Sequence, residues 1–342
     1  WLEQLPGVVA GALLRRRLKA HFCREMRGEL YTYSQEHGLQ VHFLRPRPPD
    51  EDALPAPAGS GISPGGLESP PPRSGCVVFV HGGGWLGGAP SQFYPYALAL
   101  SRTHGVATAC CEVRTLLTHP GDRPAVDPVA DVRRCVGFLQ DRADELGFQR
   151  SKVVLVGASS GGHLAAAAAL GGAGLELSGM VLFNPVLDLF FAEGWHQRRA
   201  AVWLGFWLLR LRCGAVALEA HSPTRRVGHL PYPTLLLHGT ADWLVPMAEV
   251  EVFCEKMRQS GNACSLVPFP NEGHFFFNKR VSPANFARCL GLLRGFLASV
   301  GVGAPQPHDS WCDALLRDRP QHRVLEDTCE APGWRAASRA KK

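Results

Sequence analysis

The sequence lacks the patterns that mark several common protein classes. No Cys-x-x-Cys pair occurs among its 11 cysteines, so we expect neither a zinc site nor a thioredoxin-like site. The formal charge of +6 is not accompanied by zinc-finger spacing or by an aromatic RNA-binding signature. The basic residues are scattered along the chain, which is typical of solvated faces. We therefore expect no nucleic-acid partner and no metal.

Long apolar runs are also missing. The best candidate for a membrane span, residues 200–209, is much shorter than the roughly 20 apolar residues that a bilayer crossing needs. The apolar start at residues 1–12 is interrupted by Glu3, and basic residues follow it rather than precede it, unlike a signal peptide. No Asn-x-Ser/Thr acceptor is present, and several cysteines lie inside apolar runs, where a thiol packs as a small hydrophobe. These features favour a reducing, intracellular (cytoplasmic) compartment.

What the 342 residues do contain is enough apolar sequence, 46% of the chain, for one large core. Short apolar runs alternate with segments of helical period. The predicted strands are residues 76–80, 106–113, 152–156, 180–183, 234–237 and 265–267. The predicted helices are residues 127–146, the alanine-rich segment after Ser159, residues 247–259 and residues 283–297. This alternation predicts an α/β fold with a mostly parallel central sheet and helices on both faces.

The composition also divides the chain into segments. Residues 1–45 are predicted as an N-terminal helix, over 1–37, and an exposed strand over 39–44, and residues 46–75 form a Pro/Gly/Ser-rich insertion. The main α/β domain is expected at 76–303. Within it, residues 188–230 interrupt the alternation with a Trp-, Leu- and Arg-rich stretch, either a packed excursion or a lid. Residues 304–342 lack periodicity and are expected to be a mobile tail.

A Gly-x-Ser-x-Gly segment, residues 157–161, stands between a predicted strand and a predicted helix. That context is required for a nucleophile elbow, in which a serine hydroxyl projects from a sharp strand-to-helix turn. Ser159 occupies the central position and is the predicted nucleophile. Ser160 follows it, and its backbone N–H is predicted to face a developing oxyanion at the helix N-terminus.

His81 and three glycines, Gly82 to Gly84, end the predicted strand at 76–80 and are followed by Trp85. Glycines leave backbone amides unobstructed and close to a ligand. An HGGG-type loop is a second source of oxyanion donors in esterases and lipases, so we predict that the amides of Gly83 and Gly84 complete an oxyanion hole with Ser160.

Serine needs an imidazole to accept its proton and a carboxylate to orient that imidazole. In the expected chain order, Ser, then acid, then His, Asp242 follows the strand at 234–237 and His274 follows the next strand. We predict both as triad members with Ser159. Asp188 is the alternative acid.

Together these segments resemble the acetyl-esterase and feruloyl-esterase-like (BD-FAE-like) group of α/β-hydrolases, near the hormone-sensitive-lipase type. The resemblance spans roughly residues 76–300 and rests on residues 81–85, 157–164, 184–188, 222–223, 238–242 with 245–246, and 273–278. It implies an α/β-hydrolase fold and a serine esterase that removes short acyl groups through an acyl-enzyme, without a cofactor. The substrate would be a small-molecule or saccharide-linked acyl ester.

The chain departs from that group at a few positions. Ser160 stands where members usually have alanine, and Phe275 stands where many have glycine. Bulky Phe275 and Trp85 are therefore expected to flank the acyl side of the pocket and to favour short chains, although the apolar stretch after residue 195 also allows a pocket for long ones. Two other functions are open: hydrolysis of aryl formamides or peptides by the same triad, and a catalytically silent binding module.

Overall fold

The structure is a computed structural model that describes residues 12–46, 74–172, 174–190 and 200–303. The N-terminal half contributes α1 (Ala12–Arg24), β1 (Glu29–Ser34), β2 (Leu39–Leu44), β3 (Ser74–Val80), α2 (Tyr94–Thr103), β4 (Ala107–Cys111), α3 (Asp127–Asp141), α4 (Ala143–Leu146) and β5 (Phe148–Ala158). The C-terminal half contributes α5 (Ser160–Leu170), β6 (Gly179–Phe183), α6 (Ala200–Cys213), α7 (Ala215–His221), β7 (Thr234–Gly239), α8 (Met247–Gln259), β8 (Cys264–Phe269) and α9 (Pro283–Ser299).

The eight described strands form one sheet in the order β1-β2-β4-β3-β5-β6-β7-β8. The six strands from β4 to β8 pair in parallel, while β1 and β2 add an antiparallel edge. Helices cover both faces, so the predicted α/β architecture with a mostly parallel sheet is confirmed. In such a sheet the loops at the carboxyl ends of the strands share one edge, which is where ligands usually bind.

Alternate side chains of each central strand enter two different cores. On β3, Val77 and Phe79 pack with residues of α2 and α9, whereas Val78 packs with residues of α3, α5 and α8. This two-sided burial explains why the central strands are continuous apolar runs rather than alternating ones.

The N-terminal prediction needs correction. The predicted helix over 1–37 ends at Arg24, and residues 29–34 form β1, which pairs with β2 through a turn at residues 35–38. Gly38 has a φ of 61°, a conformation that glycine adopts without strain. β2 is also largely buried rather than exposed, because it lies between β1 and β4. The hairpin is thus an edge of the same sheet as the main domain.

Two other predicted segments differ in detail. The single helix over 127–146 is two helices, α3 and α4, separated at Arg142. The excursion at 188–230 contains α6 and α7, while residues 191–199, with Trp195, lie outside the described residues. Most of the insertion at 46–75 and the tail at 304–342 also lie outside them. Among the helices that are described, none is both long and apolar enough to cross a membrane.

Candidate active site

Ser159 stands at the sharp turn between β5 and α5, with φ 54° and ψ −123°. This is a sparsely populated conformation for a residue with a side chain, as is typical of a nucleophile elbow. The flanking glycines make the turn possible. A Cβ on Gly161 would lie 2.3 Å from the carbonyl oxygens of Val80 and His81, and a Cβ on Gly157 would lie 2.4 Å from the carbonyl oxygen of Gly161.

The structure brings Ser159, His274 and Asp242 into one hydrogen-bonded chain. Ser159 Oγ lies 2.9 Å from His274 Nε2, and His274 Nδ1 lies 2.7 Å from Asp242 Oδ2. A carboxylate only accepts hydrogen bonds, so Nδ1 carries the proton and Nε2 is left to accept from the serine hydroxyl. His274 and Asp242 are both buried, which keeps water from competing for these bonds.

The environment of Asp242 favours its ionised form. Burial alone raises the pKa of this carboxyl, but its hydrogen bond and charge interaction with His274 and the Val245 N–H outweigh burial, so the net pKa is lowered. Its other oxygen, Oδ1, accepts from the N–H groups of Leu244 and Val245 at 2.8 and 3.0 Å. These bonds fix the carboxylate that orients the histidine.

The alternative acid, Asp188, is placed elsewhere. Its Oδ1 accepts from Arg225 Nε at 3.0 Å and from the Phe190 N–H at 2.9 Å. The carboxylate facing His274 Nδ1 belongs to Asp242.

The loop of residues 81–85 curls tightly, and Gly83 has a φ of 136°. A Cβ at Gly83 would lie 2.3 Å from the carbonyl oxygen of Gly87, so only glycine fits there. The Gly82 N–H is occupied by Gln92 Oε1 at 2.7 Å. None of the hydrogen bonds within the described part of the chain uses the N–H of Gly83 or Gly84. The N–H of Ser160, at the start of α5, is among those that a helix leaves without an internal partner.

Both predicted pocket residues lie beside these groups. The ring of Phe275 meets the ring of His274 edge-on, with their centroids 5.1 Å apart. The indole N–H of Trp85 donates to Nδ1 of His163, 3.2 Å away on α5. Both aromatic side chains are half-buried.

The structure adds two residues to which the sequence assigned no role. His163, in the GGHL segment, is fully buried. Asn184 is also fully buried, and its Nδ2 lies 3.1 and 2.9 Å from the two ring nitrogens of His274. An atom this close to both ring nitrogens lies above the plane of the imidazole, so Nδ2 does not point along the lone pair of either nitrogen. Only the three-dimensional partners reveal these contacts, although both residues belong to segments that carry the family resemblance.

A buried carboxyl, Glu249 on α8, supports the loop after β6. It accepts hydrogen bonds from the N–H groups of Leu187 and Asp188. Burial raises the pKa of Glu249 to about 8, and the nearby carboxylates of Asp188 and Asp242 add to that rise, although the two backbone bonds oppose it. Glu249 is therefore largely protonated near neutral pH.

The sequence is similar to a family of known proteins and to several curated esterases. The model of the BD-FAE family matches residues 68–257, more than half of the chain. Esterase LipQ of Mycobacterium tuberculosis is 27% identical over 223 residues, which cover 61% of this chain and 52% of that protein. An isoprenylcysteine alpha-carbonyl methylesterase of Arabidopsis thaliana is 24% identical over 217 residues, covering 58% and 49%. The chain thus spans about half the length of these curated relatives.

Solved structures of esterase 2 from Thermogutta terrifontis match over nearly their whole length. The propionate-bound form is 31% identical, with a TM-score of 0.66, and the match covers 83% of this chain and 99% of that one. The form phosphonylated by sarin is 30% identical, with a TM-score of 0.67, covering 82% and 97%.

The geometry of the elbow predicts different effects at its two serines. Ser159→Ala should lower kcat by on the order of 10⁴-fold or more, because it removes the hydroxyl that faces His274. Ser160→Ala should keep kcat within about tenfold, because the backbone N–H remains. Steady-state kinetics on a p-nitrophenyl ester measures both. Equal losses in the two variants would contradict this assignment.

The buried Glu249 predicts a pH dependence of stability. Its folded pKa of about 8 exceeds the ordinary value of 4.5, so the folded state keeps a proton that the unfolded state loses, and stability falls as pH rises through this interval. Glu249→Gln keeps the acceptor oxygen and cannot ionise. In urea denaturation, wild type and Glu249→Gln should have similar free energies of unfolding at pH 5. At pH 9 the variant should have the larger one. The exposed Glu251→Gln on the same helix serves as the control, and parallel curves for wild type and Glu249→Gln would refute the prediction.

Proposed function

The chain belongs to the BD-FAE family of the α/β-hydrolase superfamily, and on that premise we propose that it is a serine carboxylesterase that hydrolyses short-chain acyl esters. The observation that carries the proposal is the hydrogen-bonded chain from Ser159 through His274 to Asp242. It lies next to a glycine loop in which the N–H groups of Gly83 and Gly84 have no partner among the described residues. This arrangement contains a nucleophile, a base, an orienting acid and oxyanion donors.

Acylation begins with the serine. Ser159 Oγ attacks the ester carbonyl carbon while its proton moves to Nε2 of His274, which gives a tetrahedral oxyanion and an imidazolium. The N–H groups of Gly83, Gly84 and Ser160 stabilise the oxyanion, and Asp242 stabilises the imidazolium. His274 then gives its proton to the leaving alcohol oxygen as the carbon–oxygen bond breaks, and the acyl group stays on Ser159.

Deacylation repeats these steps with water. His274 takes a proton from a water molecule, whose oxygen attacks the acyl carbon. The second oxyanion uses the same three amides. When it collapses, Ser159 Oγ leaves and recovers its proton from His274, and the carboxylic acid is released. The residues proposed for these steps follow the carboxyl ends of β3, β5, β7 and β8.

Two observations support a preference for short acyl groups, with acetyl as the finer proposal. Trp85 and Phe275 place large rings beside the oxyanion loop and the base. Each methylene that a pocket accepts gains only about 0.8 kcal/mol, so a steric wall outweighs a longer chain. Thermogutta terrifontis esterase 2, which resembles this chain, has been solved with propionate bound and with butyrate bound. We propose that the alcohol portion belongs to a small molecule or a saccharide.

Acyl length provides the test. For p-nitrophenyl esters from acetyl to decanoyl, kcat/KM should fall by about tenfold or more beyond butyryl, since overfilling a packed site costs roughly 1–3 kcal/mol. Phe275→Ala should flatten that decline. Phe138→Ala, which removes another half-buried ring on α3, is the matched control and should leave the profile unchanged. A profile that rises with chain length would contradict the short-acyl proposal.

A further inference from the structure

His163 joins three separate segments around the site. It lies on α5, four residues after Ser159, and its backbone N–H donates to the carbonyl oxygen of Ser159 at 3.1 Å. Its Nδ1 is 3.2 Å from the indole nitrogen of Trp85, and its Nε2 is 2.9 Å from the carbonyl oxygen of His221 at the end of α7. The imidazole therefore links the nucleophile helix to the oxyanion loop and to the segment 200–221.

These partners determine the tautomer of His163. The Trp85 indole is only a donor and the His221 carbonyl is only an acceptor, so Nδ1 accepts and Nε2 carries the single proton. The ring is fully buried, and burial lowers the pKa of His163 to about 4. The neutral form that fits both partners is thus the form present at neutral pH.

The partner loop has an unusual backbone. Gly83, Gly84 and Trp85 are three consecutive residues with positive φ, at 136°, 62° and 59°. For a residue with a side chain such as Trp85, this conformation is strained and persists only where surrounding contacts hold it. The bond to His163 acts on the residue directly after the proposed oxyanion donors.

We propose that His163 is a positioning residue for the oxyanion hole: its neutral imidazole holds Trp85, and through it the amides of Gly83 and Gly84, at a set distance from Ser159. This inference rests on the proposed esterase function. Because the amides bind the developing oxyanion rather than the ground-state ester, loss of the contact should lower kcat and leave KM nearly unchanged. If these amides move by about 1 Å, the rate should fall by up to about 10²-fold.

The test uses variants that separate the two bonds. His163→Leu removes both and should lower kcat by about 10- to 100-fold, with KM within about threefold. His163→Asn keeps an acceptor oxygen near the Nδ1 position and should recover most of that loss. Trp85→Phe keeps a ring and removes the donor. The double variant His163→Leu/Trp85→Phe should be no slower than the slower single variant, since both changes break the same Trp85–His163 bond. His42→Leu, which removes another buried histidine held by Tyr94 and Glu112, should lower the melting temperature and not kcat.

A second readout does not depend on turnover. The indole N–H of Trp85, assigned by its loss in Trp85→Phe, should exchange slowly with deuterium in the wild type and in His163→Asn, and rapidly in His163→Leu. Fast exchange in the wild type, additive rate losses, or a rise in KM with unchanged kcat would overturn the positioning role. Slow exchange in a wild type that turns over no ester would overturn the proposed function instead and leave the Trp85–His163 bond established.

Discussion

The strained turn at Ser159 sets the positions of the other parts of the site. Backbone hydrogen bonds tie this residue to neighbouring segments: its N–H donates to the carbonyl oxygen of Phe183 on β6, and its carbonyl oxygen accepts from Val186 and His163. The glycines at 157 and 161 allow the backbones of β5, α5 and the end of β3 to approach too closely for any side chain. The cost of the positive φ at Ser159 is thus offset by backbone hydrogen bonds to β6, to α5 and to the loop after β6.

The parallel sheet assembles the rest. Ser159 follows β5, Asp242 follows β7 and His274 follows β8. These strands are parallel, with β6 between β5 and β7, so all three loops lie at the same carboxyl edge of the sheet. Residues 115 positions apart in the chain therefore meet at hydrogen-bonding distance. The protonation state of each buried group follows from its partners. Asp242 is ionised because its hydrogen bonds and the nearby histidine outweigh the cost of burial. His163 and Glu249 have no compensating charge, so burial keeps His163 neutral and favours the protonated form of Glu249.

Much of this arrangement was predictable from sequence, because strands buried on both faces are apolar runs and because the elbow and glycine-loop segments encode local geometry. The helix at 247–259 has the predicted bounds. The hairpin at 29–44 could not be predicted as a strand pair, because β1 lacks a long apolar run and β2 is buried only by its place between β1 and β4. The contacts of His163 and Asn184 involve partners 58 to 90 residues away in the chain, which no local pattern specifies.

The most direct test of the central claim is to identify the residue that an organophosphate modifies. The wild-type chain is treated with paraoxon, digested and analysed by mass spectrometry, with residual esterase activity followed in parallel. We expect one diethylphosphoryl group per chain on Ser159 and loss of activity in proportion to labelling, because the proposed triad activates that hydroxyl alone. Complete inactivation with the group on Ser160 or another residue, or an unlabelled chain that still hydrolyses esters, would contradict it.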